Sequence, residues 1–325
     1  MAQINDLFQT ASHVGRNDTF MGVERIAPDE VPERAIAVIG IPGATPYASA
    51  GAYCRAAPEA IRNESARYSS TIMHHNFDLG GALLPKGARL FDVGDLEFDS
   101  KDFGGNRQRI RTTVNMFLTR SVVPVVLGGD DSVQIPVIEA FASQSEITIL
   151  QIDAHIDWRD EVQSERFGLS STMRRASEMA GVKTIVQVGA RGVGSARTAD
   201  MEAAIAYGVR LFDMQRIRRE GIAAAVDAIP TDTPVVVCLD VDGLDPSVVP
   251  GVIGRSPGGL TYGEVAQLIT GAAGRAPIIG FNIVELVPKN DIDGQGVLVA
   301  ARLGMLGIGL AARAQFRHAS QDLDP

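Results

Sequence analysis

Residues 149–157, Ile-Leu-Gln-Ile-Asp-Ala-His-Ile-Asp, join an apolar run to three potential metal ligands. The apolar part has the length and composition of a strand buried on both faces of a parallel sheet. Asp153, His155 and Asp157 follow at i, i+2 and i+4, and on an extended chain these side chains point to one side. Burying two carboxylates beside an imidazole costs several kcal/mol unless a cation compensates. The segment therefore predicts a metal site at the end of a strand.

Apolar runs of strand length alternate with helical patterns along the chain, and this alternation predicts the fold class. We expect an α/β protein in which helices cover both faces of a mainly parallel central sheet, giving three layers, α/β/α. Residues 1–33 are predicted to form an N-terminal arm, and residues 34–325 a single catalytic domain. The predicted strands are residues 35–41, 90–95, 122–127, 147–152, 184–188, 209–212, 235–240 and 278–283. The predicted helices lie near residues 57–68, 106–120, 133–142, 172–179, 219–228, 261–272 and 297–312.

Composition and charge exclude several classes of partner. The net charge is −9 and the pI is about 5.1, so a nucleic acid or an anionic membrane is not an expected partner. Two cysteines, Cys54 and Cys238, imply neither a disulfide framework nor a cysteine zinc motif. We find no secretory signal pattern and no apolar run of membrane-spanning length. The protein is therefore expected to be cytoplasmic.

Three predicted strands end in acidic clusters, namely Asp130-Asp131, residues 153–157, and Asp240-x-Asp242. In open α/β sheets, ligands bind at the carboxyl ends of the strands, and all three clusters fall at that edge. A single acid there could be a helix cap or a solvated loop residue. Three clusters together, two of them with i, i+2 spacing, indicate a dinuclear metal site.

The sequence resembles the ureohydrolases, the family of arginase, agmatinase and guanidinobutyrase, and the similarity covers nearly the whole chain. It is carried by residues 57–62 (APEAIR), 153–157 (DAHID), 239–246 (LDVDGLDP), 257–261 (PGGLT) and 280–285 (GFNIVE). The second and third of these motifs are highly specific in combination. The resemblance implies an arginase-like fold.

The resemblance also implies an activity and its cofactors. It implies hydrolysis of a guanidino, amidine or biguanide compound to urea and an amine, by a hydroxide that bridges two divalent cations. Manganese is the expected metal, with nickel as the other candidate. The expected metal ligands are Asp131, Asp153, His155, Asp157, Asp240 and Asp242, with Asp153 and Asp240 bridging. The family also implies a homo-oligomer, a trimer or hexamer. A hetero-oligomer with a paralogous subunit is the alternative, which the departures from the family's pattern suggest.

General chemistry supports these roles. A guanidinium group is a poor electrophile, so its hydrolysis needs hydroxide at neutral pH, which two nearby cations can supply. Glu285 matches the acid that binds the substrate's guanidinium group in the family. A carboxylate is suited to this role because it can bind a planar guanidinium through two parallel hydrogen bonds. Asp157 is predicted to carry a proton to the departing amine. The predicted catalytic residues are therefore Asp157 and Glu285.

The sequence departs from the family's pattern at three places. Asp131 stands where the family has a metal-binding histidine, and the extra negative charge predicts an alkaline-shifted rate profile or a changed metal preference. Leu169 stands where many agmatinase-like chains have a histidine, which leaves proton transfer mainly to Asp157. Arg255 precedes the 257–261 motif and either lies at the surface or favours a neutral or carboxylate-bearing guanidino compound. Trp158 is a further candidate for the substrate pocket because it follows the metal ligands.

Two other interpretations compete with an active enzyme. The changed ligand at Asp131 and the missing histidine fit a non-catalytic or weakly active subunit of a hetero-oligomer. An unrelated nucleotide-binding α/β protein is the third possibility, but the glycine-rich turn at residues 189–195 has Arg197 where the fingerprint needs its third glycine. Retention of the other ligands favours the enzyme, because a decayed site would be expected to lose several. The sequence does not identify the substrate.

Overall fold

Eight strands form one sheet in the computed structural model, which describes residues 18–316. The strands are β1 (Ile36–Ile41), β2 (Leu90–Asp95), β3 (Val123–Gly128), β4 (Ile147–Ile152), β5 (Val182–Val188), β6 (Arg210–Phe212), β7 (Val235–Asp240) and β8 (Ile278–Val284). Their order is β2-β1-β3-β8-β7-β4-β5-β6, and all neighbouring strands are parallel. The central strands β1, β3, β4 and β7 are buried throughout, which explains why they are apolar on both faces.

Eight α-helices cover the sheet in the part of the chain that the structure describes. They are α1 (Ala57–Ser65), α2 (Phe103–Thr119), α3 (Gln134–Gln144), α4 (Thr172–Ser177), α5 (Thr198–Tyr207), α6 (Met214–Asp227), α7 (Tyr262–Arg275) and α8 (Gln295–Phe316). Helices α1, α6, α7 and α8 contribute to one apolar cluster, and α2, α3, α4 and α5 to a second. Alternate residues of a single strand, such as Val125 and Val126, belong to different clusters, so the two clusters lie on opposite faces of the sheet. This arrangement confirms the predicted three-layer α/β/α fold.

Helix α5 was not predicted from the sequence. Its apolar residues do not form a clear stripe, and only Asp200 and Ala204 are buried. It also begins after Arg197, which is not a typical N-cap residue, and Asp200 accepts a hydrogen bond from the backbone N–H of Arg197 at 2.9 Å. The helix is stabilised by tertiary contacts that a local pattern does not display.

Part of the predicted N-terminal arm packs against the rest of the protein. Phe20 is fully buried, and its backbone N–H donates to Asp92 at 2.7 Å. The N–H of Met21 donates to the hydroxyl of Ser65 at 2.8 Å. Residues 1–17 lie outside the described residues, so the predicted arm is described only from residue 18 onwards.

Two glycines allow the chain to approach itself closely at the carboxyl edge of the sheet. A Cβ on Gly129 would lie 2.4 Å from the carbonyl oxygen of Pro42, and one on Gly243 would lie 2.8 Å from the backbone nitrogen of Asp153. Any larger residue would push apart the segments that follow β1, β3, β4 and β7. These contacts bring the acidic clusters together.

The prediction that no apolar run reaches membrane-spanning length is wrong for helix α8. Its 22 residues are long and apolar enough to cross a membrane. In the folded protein, however, 67% of an apolar 18-residue stretch of this helix is buried inside the molecule. It packs against β8 and α1, as the core helix of a globular domain does.

Candidate metal centre

Four neighbouring strands bring acidic residues to one edge of the sheet. β3, β8, β7 and β4 are consecutive in the sheet, and each is followed or ended by an acid. Asp131 lies shortly after β3, Glu285 directly after β8, Asp240 at the end of β7 and Asp153 directly after β4. All four are at most 5% exposed. Residues far apart in the chain therefore share one buried site.

The same local turn follows three of these strands. Asp130, Asp153 and Asp240 each accept a hydrogen bond from the backbone N–H two residues further on, at 3.1, 2.6 and 2.7 Å. Such a side-chain-to-backbone bond stops the strand and turns the chain. For Asp130, the cap is the main role that the structure shows, because it begins the short 3₁₀ helix Asp131–Val133. For the other two, the turn also fixes the carboxylate beside its neighbours.

The potential ligand atoms form two groups that share one residue. Ligand atoms of Asp153, His155 and Asp242 lie within 4.8 Å of one another, and so do those of Asp131, Asp153 and Asp240. His155 Nδ1 lies 3.3 Å from Asp153 Oδ1 and 3.2 Å from Asp242 Oδ2. The position of Asp153 in both groups is the one that a bridging ligand would take. Asp240 belongs to one group.

The predicted extended arrangement of residues 153–157 is not what the structure shows. β4 ends at Ile152, and Asp157 has a φ of 50°, a left-handed conformation that is uncommon for aspartate. The carboxylate of Asp157 is in neither of the two groups. Its Oδ2 instead accepts from Gln151 Nε2 at 2.8 Å, and the same nitrogen donates to Asp153 Oδ2 at 2.7 Å. Asp157 thus lies next to the centre through a shared donor.

Buried amides behind the acids hold this donor in place. Gln187 Nε2 donates to Gln151 Oε1 and, at 2.8 Å, to the carbonyl of Ile156. The indole N–H of Trp158 donates to Gln187 Oε1 at 3.0 Å. Trp158 is 2% exposed, so this predicted pocket residue reaches the cavity with little surface and uses its polar atom to orient Gln187.

The electrostatics of the site favour a bound cation. Burial, followed by repulsion from neighbouring carboxylates, raises the pKa of Asp131, Asp157 and Asp240, and that of Asp153 to about 7. Burial alone would lower the pKa of His155, but hydrogen bonds and charges from Asp153 and Asp242 outweigh it and raise it to about 12. A divalent cation at this position would relieve the repulsion and take the place of the imidazolium proton.

The donor set fits divalent cations. Oδ2 of Asp131 is buried and has no hydrogen-bond partner among the described residues, whereas Oδ1 accepts from Gln134 Nε2. A buried carboxylate oxygen without a donor is costly unless a cation binds it. Several carboxylates with one imidazole are ligands typical of manganese, and imidazole also suits nickel.

Glu285 is held rigidly beside the centre. Its φ is 68°, its N–H donates to the carbonyl of Gly129 at 2.9 Å, and Oε1 accepts from the N–H of Asp131 at 2.7 Å. The hydroxyl of Tyr53 lies 2.8 Å from both carboxylate oxygens. Burial, and then the charge of Asp130, raises the pKa of Glu285, while the bonds from Asp131 and Tyr53 oppose this shift. Positive φ values at Glu285 and Asp157 store strain of the kind that is found at functional sites.

A cavity of about 240 Å³ opens above these residues. It is lined by Asp131, His155, Asp157, Trp158, Arg159, Leu169, Ser170, Gly194, Ser195, Asp200, Asp240, Asp242, Ile253, Gly254 and Glu285. Leu169 therefore does face the site, at the position where the family resemblance leads us to expect a histidine. Arg255 is not in the lining, because its guanidinium donates to the carbonyls of Pro250 at 2.8 Å and Asn290 at 2.9 Å. Its position gives no support to the predicted substrate contact.

Several supporting residues were missed by the sequence analysis. Gln151 lies between apolar residues in a fully buried strand, and this buried amide was a signal that could have been used. Tyr53 and Gln134 lie outside the motifs and gave no comparable signal. Arg191 donates to the carbonyls of five residues, Gly189, Asp242, Gly243, Leu244 and Ser256, and so fixes the loop that carries Asp242.

Comparison with known proteins identifies the family. The arginase family model matches residues 34–307. An uncharacterised 32.2 kDa protein of Methanothermus fervidus is 30% identical over 252 residues, which cover 77% of this chain and 84% of that protein. The N(1)-aminopropylagmatine ureohydrolase of Thermococcus kodakarensis is 28% identical over 287 residues, covering 87% and 93%.

A solved structure gives the same result for the fold. The proclavaminate amidino hydrolase of Streptomyces clavuligerus superimposes with a TM-score of 0.78 at 25% identity, covering 92% of this chain and 98% of that one. The predicted arginase-like fold is thereby confirmed. The chain belongs to the arginase family and is an amidinohydrolase that acts on carbon–nitrogen bonds.

Proposed function

We propose that this protein hydrolyses a guanidino compound to urea and an amine at a centre of two divalent cations. The observation that carries the proposal is the pair of ligand groups sharing Asp153 at the base of a cavity that also contains Glu285. The two ligand groups fit a pair of metal ions, and Glu285 fits the cationic group of the substrate.

The proposed reaction adds one water across the central carbon of the substrate. A protonated guanidino group, R–NH–C(NH₂)₂⁺, and water give urea and R–NH₃⁺, so atoms and charge balance. The carbon–nitrogen bond to the substituted nitrogen breaks, and that nitrogen leaves with the bonding electron pair. It takes up both protons of the water, whose oxygen becomes the carbonyl oxygen of urea. When bound, two divalent cations supply the Lewis acidity that makes hydroxide available at neutral pH.

Glu285 binds the guanidinium and sets its orientation. The carboxylate is 5% exposed and faces the cavity, where few competing water molecules weaken an ion pair. Tyr53 and the backbone N–H of Asp131 restrict its rotation, so the substrate carbon is held toward the acids below. A charge-assisted contact of this kind selects a planar cation.

Asp157 is the proposed proton carrier. It lines the cavity and is 8% exposed, and Gln151 holds one of its oxygens at 2.8 Å. A carboxylate at the wall of the cavity can receive a proton and give it to the departing nitrogen. Leu169 offers no alternative proton donor at the position where many agmatinase-like chains have a histidine.

Metal uptake and urea release together test this proposal. Purified protein is loaded with manganese or nickel, bound metal is counted, and urea is measured across a panel of guanidino compounds. We expect about two equivalents of metal and urea from at least one compound, and Asp153→Asn should lose both. Asp232→Asn, which changes an exposed acid, is the matched control and should keep both. Folded wild-type protein that takes up no metal, or that yields no urea with any compound when loaded, would overturn the proposal.

The replacement at Asp131 favours one alternative, a non-catalytic subunit of a hetero-oligomer. A carboxylate at this position can still bind a cation, so we propose instead that the subunit is active. We further propose a cytoplasmic homo-oligomer, a trimer or hexamer, as expected from the sequence. Light scattering on the purified protein gives its oligomeric state, and urea release by that same sample distinguishes an active homo-oligomer from an inactive subunit. Manganese and nickel are compared in the same assay.

A further inference from the structure

Arg159 is a cation in the wall of the cavity that the proposed chemistry does not use. Its backbone N–H donates to the carbonyl of Ser170 at 3.0 Å, which fixes the start of its side chain. The side chain is 27% exposed and lines the cavity above the buried acids. Apart from His155, which contacts Asp153 and Asp242, Arg159 is the only basic residue in this lining.

The acid beside Arg159 is already neutralised by another arginine. Arg159 Nε lies 3.1 Å from Asp200 Oδ2. Asp200, however, accepts three hydrogen bonds from Arg197: from the backbone N–H at 2.9 Å, from Nε at 3.0 Å and from Nη2 at 2.8 Å. Two guanidinium groups share one carboxylate, so the cluster of Arg159, Arg197 and Asp200 has a net charge of +1.

The terminal nitrogens of Arg159 also differ from those of nearby arginines. Both terminal nitrogens of Arg191 donate to backbone carbonyls, and Arg255 donates to two carbonyls. For Arg159 we find no hydrogen bond from either terminal nitrogen to a residue in the described range 18–316. Two Nη groups without a hydrogen bond to these residues can act as a fork, the geometry that binds a carboxylate by two parallel bonds.

We propose that Arg159 binds a carboxylate at the far end of the substrate, and hence that the substrate is a guanidino acid. The inference rests on the proposed function and adds the identity of the substrate's second group. Glu285 and the acids lie at the buried base of the cavity and Arg159 at its exposed rim, so a zwitterion would place each charge beside its opposite. A substrate with a second cationic group would meet repulsion at the rim, and an uncharged chain would gain no contact with Arg159.

Three matched series of substrates test this assignment. They are guanidino carboxylates of increasing chain length, alkylguanidines of the same lengths, and aminoalkylguanidines of the same lengths. For the wild-type enzyme we expect the highest kcat/KM with a guanidino carboxylate. Arg159→Gln should lower the ratio of its kcat/KM to that of the matched alkylguanidine by about ten- to a hundred-fold, the loss typical of a charge-assisted bond. Arg159→Lys, which keeps the charge without the fork, should fall between the two.

Arg166→Gln is the control, because Arg166 lies in the same loop but outside the cavity lining, and it should leave the ratio unchanged. Using a ratio within each variant removes differences in folding or metal content. The assignment is overturned if the ratio is the same in wild type and Arg159→Gln, or if wild type prefers an alkyl- or aminoalkylguanidine.

Calorimetric binding separates this inference from the proposed function. If no compound releases urea, the proposed function fails, and the affinities of metal-loaded wild type and Arg159→Gln for the same matched pair are compared instead. Selective weakening of guanidino carboxylate binding would still support Arg159 as a carboxylate site. Equal affinities in the two proteins would overturn it.

Discussion

Removing the hydroxyl of Tyr53 tests how Glu285 is prepared for the substrate. The hydroxyl contacts both oxygens of Glu285 at 2.8 Å, and the only other donor found among residues 18–316 is the backbone N–H of Asp131. Tyr53→Phe keeps the ring and removes only the hydroxyl. Glu285 would then keep a single donor and gain freedom to rotate.

The magnitude follows from the kind of bond that is lost. A hydrogen bond to a charged group contributes about 1.5–3 kcal/mol, which corresponds to about a ten- to 150-fold loss of kcat/KM. The pKa of Glu285 is raised by burial and by the charge of Asp130, and the bond from Tyr53 opposes this rise. Its removal should raise the pKa further, so a smaller fraction of Glu285 is ionised at a given pH. The acid limb of the kcat/KM–pH profile should therefore move to higher pH.

The assay is a kcat/KM–pH profile of metal-loaded Tyr53→Phe, with bound metal counted in the same sample. Tyr207→Phe is the control, since Tyr207 is also partly buried and its hydroxyl donates to the carbonyl of Val182, away from the site. We expect a loss and an alkaline shift for Tyr53→Phe and neither for Tyr207→Phe. An unchanged profile in Tyr53→Phe, or the same change in both variants, would refute the role given to this bond.

Three further predictions concern charge and hydrogen bonding around the centre. Asp131→His removes one negative charge beside the metals. The rising limb of the kcat/KM–pH profile should therefore shift to lower pH by about one to three units, or the preference between manganese and nickel should change. Identical profiles and an identical metal preference in the two proteins would contradict this. Gln151→Leu removes the hydrogen-bond donor that Asp153 and Asp157 share. The metal affinity of this variant, measured by equilibrium dialysis, should be about ten- to a hundred-fold lower than that of wild type. An unchanged metal affinity would show that the amide is dispensable. Hydrogen bonds, first from the hydroxyl of Ser247, lower the pKa of Asp245 to about 2. Its contribution to stability is complete above the unfolded pKa of about 3.9 and is lost as the pH falls through about 2. Denaturant unfolding should show Asp245→Asn less stable than wild type at pH 7, and the difference should shrink steadily between about pH 4 and pH 2. A difference independent of pH would contradict the mechanism.

The strands that carry the centre were predictable because burial on both faces leaves a simple signal. β4 and β7 have the predicted bounds, Ile147–Ile152 and Val235–Asp240, since every position in them is buried. Parallel strands end at a common edge, so the acids that follow them were expected to meet. The structure gathers Asp131, Asp153, His155, Asp240 and Asp242 into two groups there.

What the sequence did not show depends on contacts between loops. The spacing of Asp153, His155 and Asp157 suggested an extended chain, but the turn made by Asp153 ends the strand, and Asp157 adopts a positive φ. A period-2 argument holds only while the backbone remains extended. Similarly, α5 carries a cavity residue but lacks the apolar stripe from which a helix is usually predicted.

The acids at the base of the cavity and the residues at its rim are therefore under different structural constraints. The acids at the base directly follow central strands, and a change in any of these strands would move several ligands together. The rim is built from residues 159–170, 194–200 and 253–254, which belong to loops and the start of α5 and meet through pairs such as Arg159–Asp200. Loops tolerate substitution without disturbing the core. The site can thus keep its metal ligands while single changes at the rim, such as one at Arg159, alter which end group of the substrate is accepted.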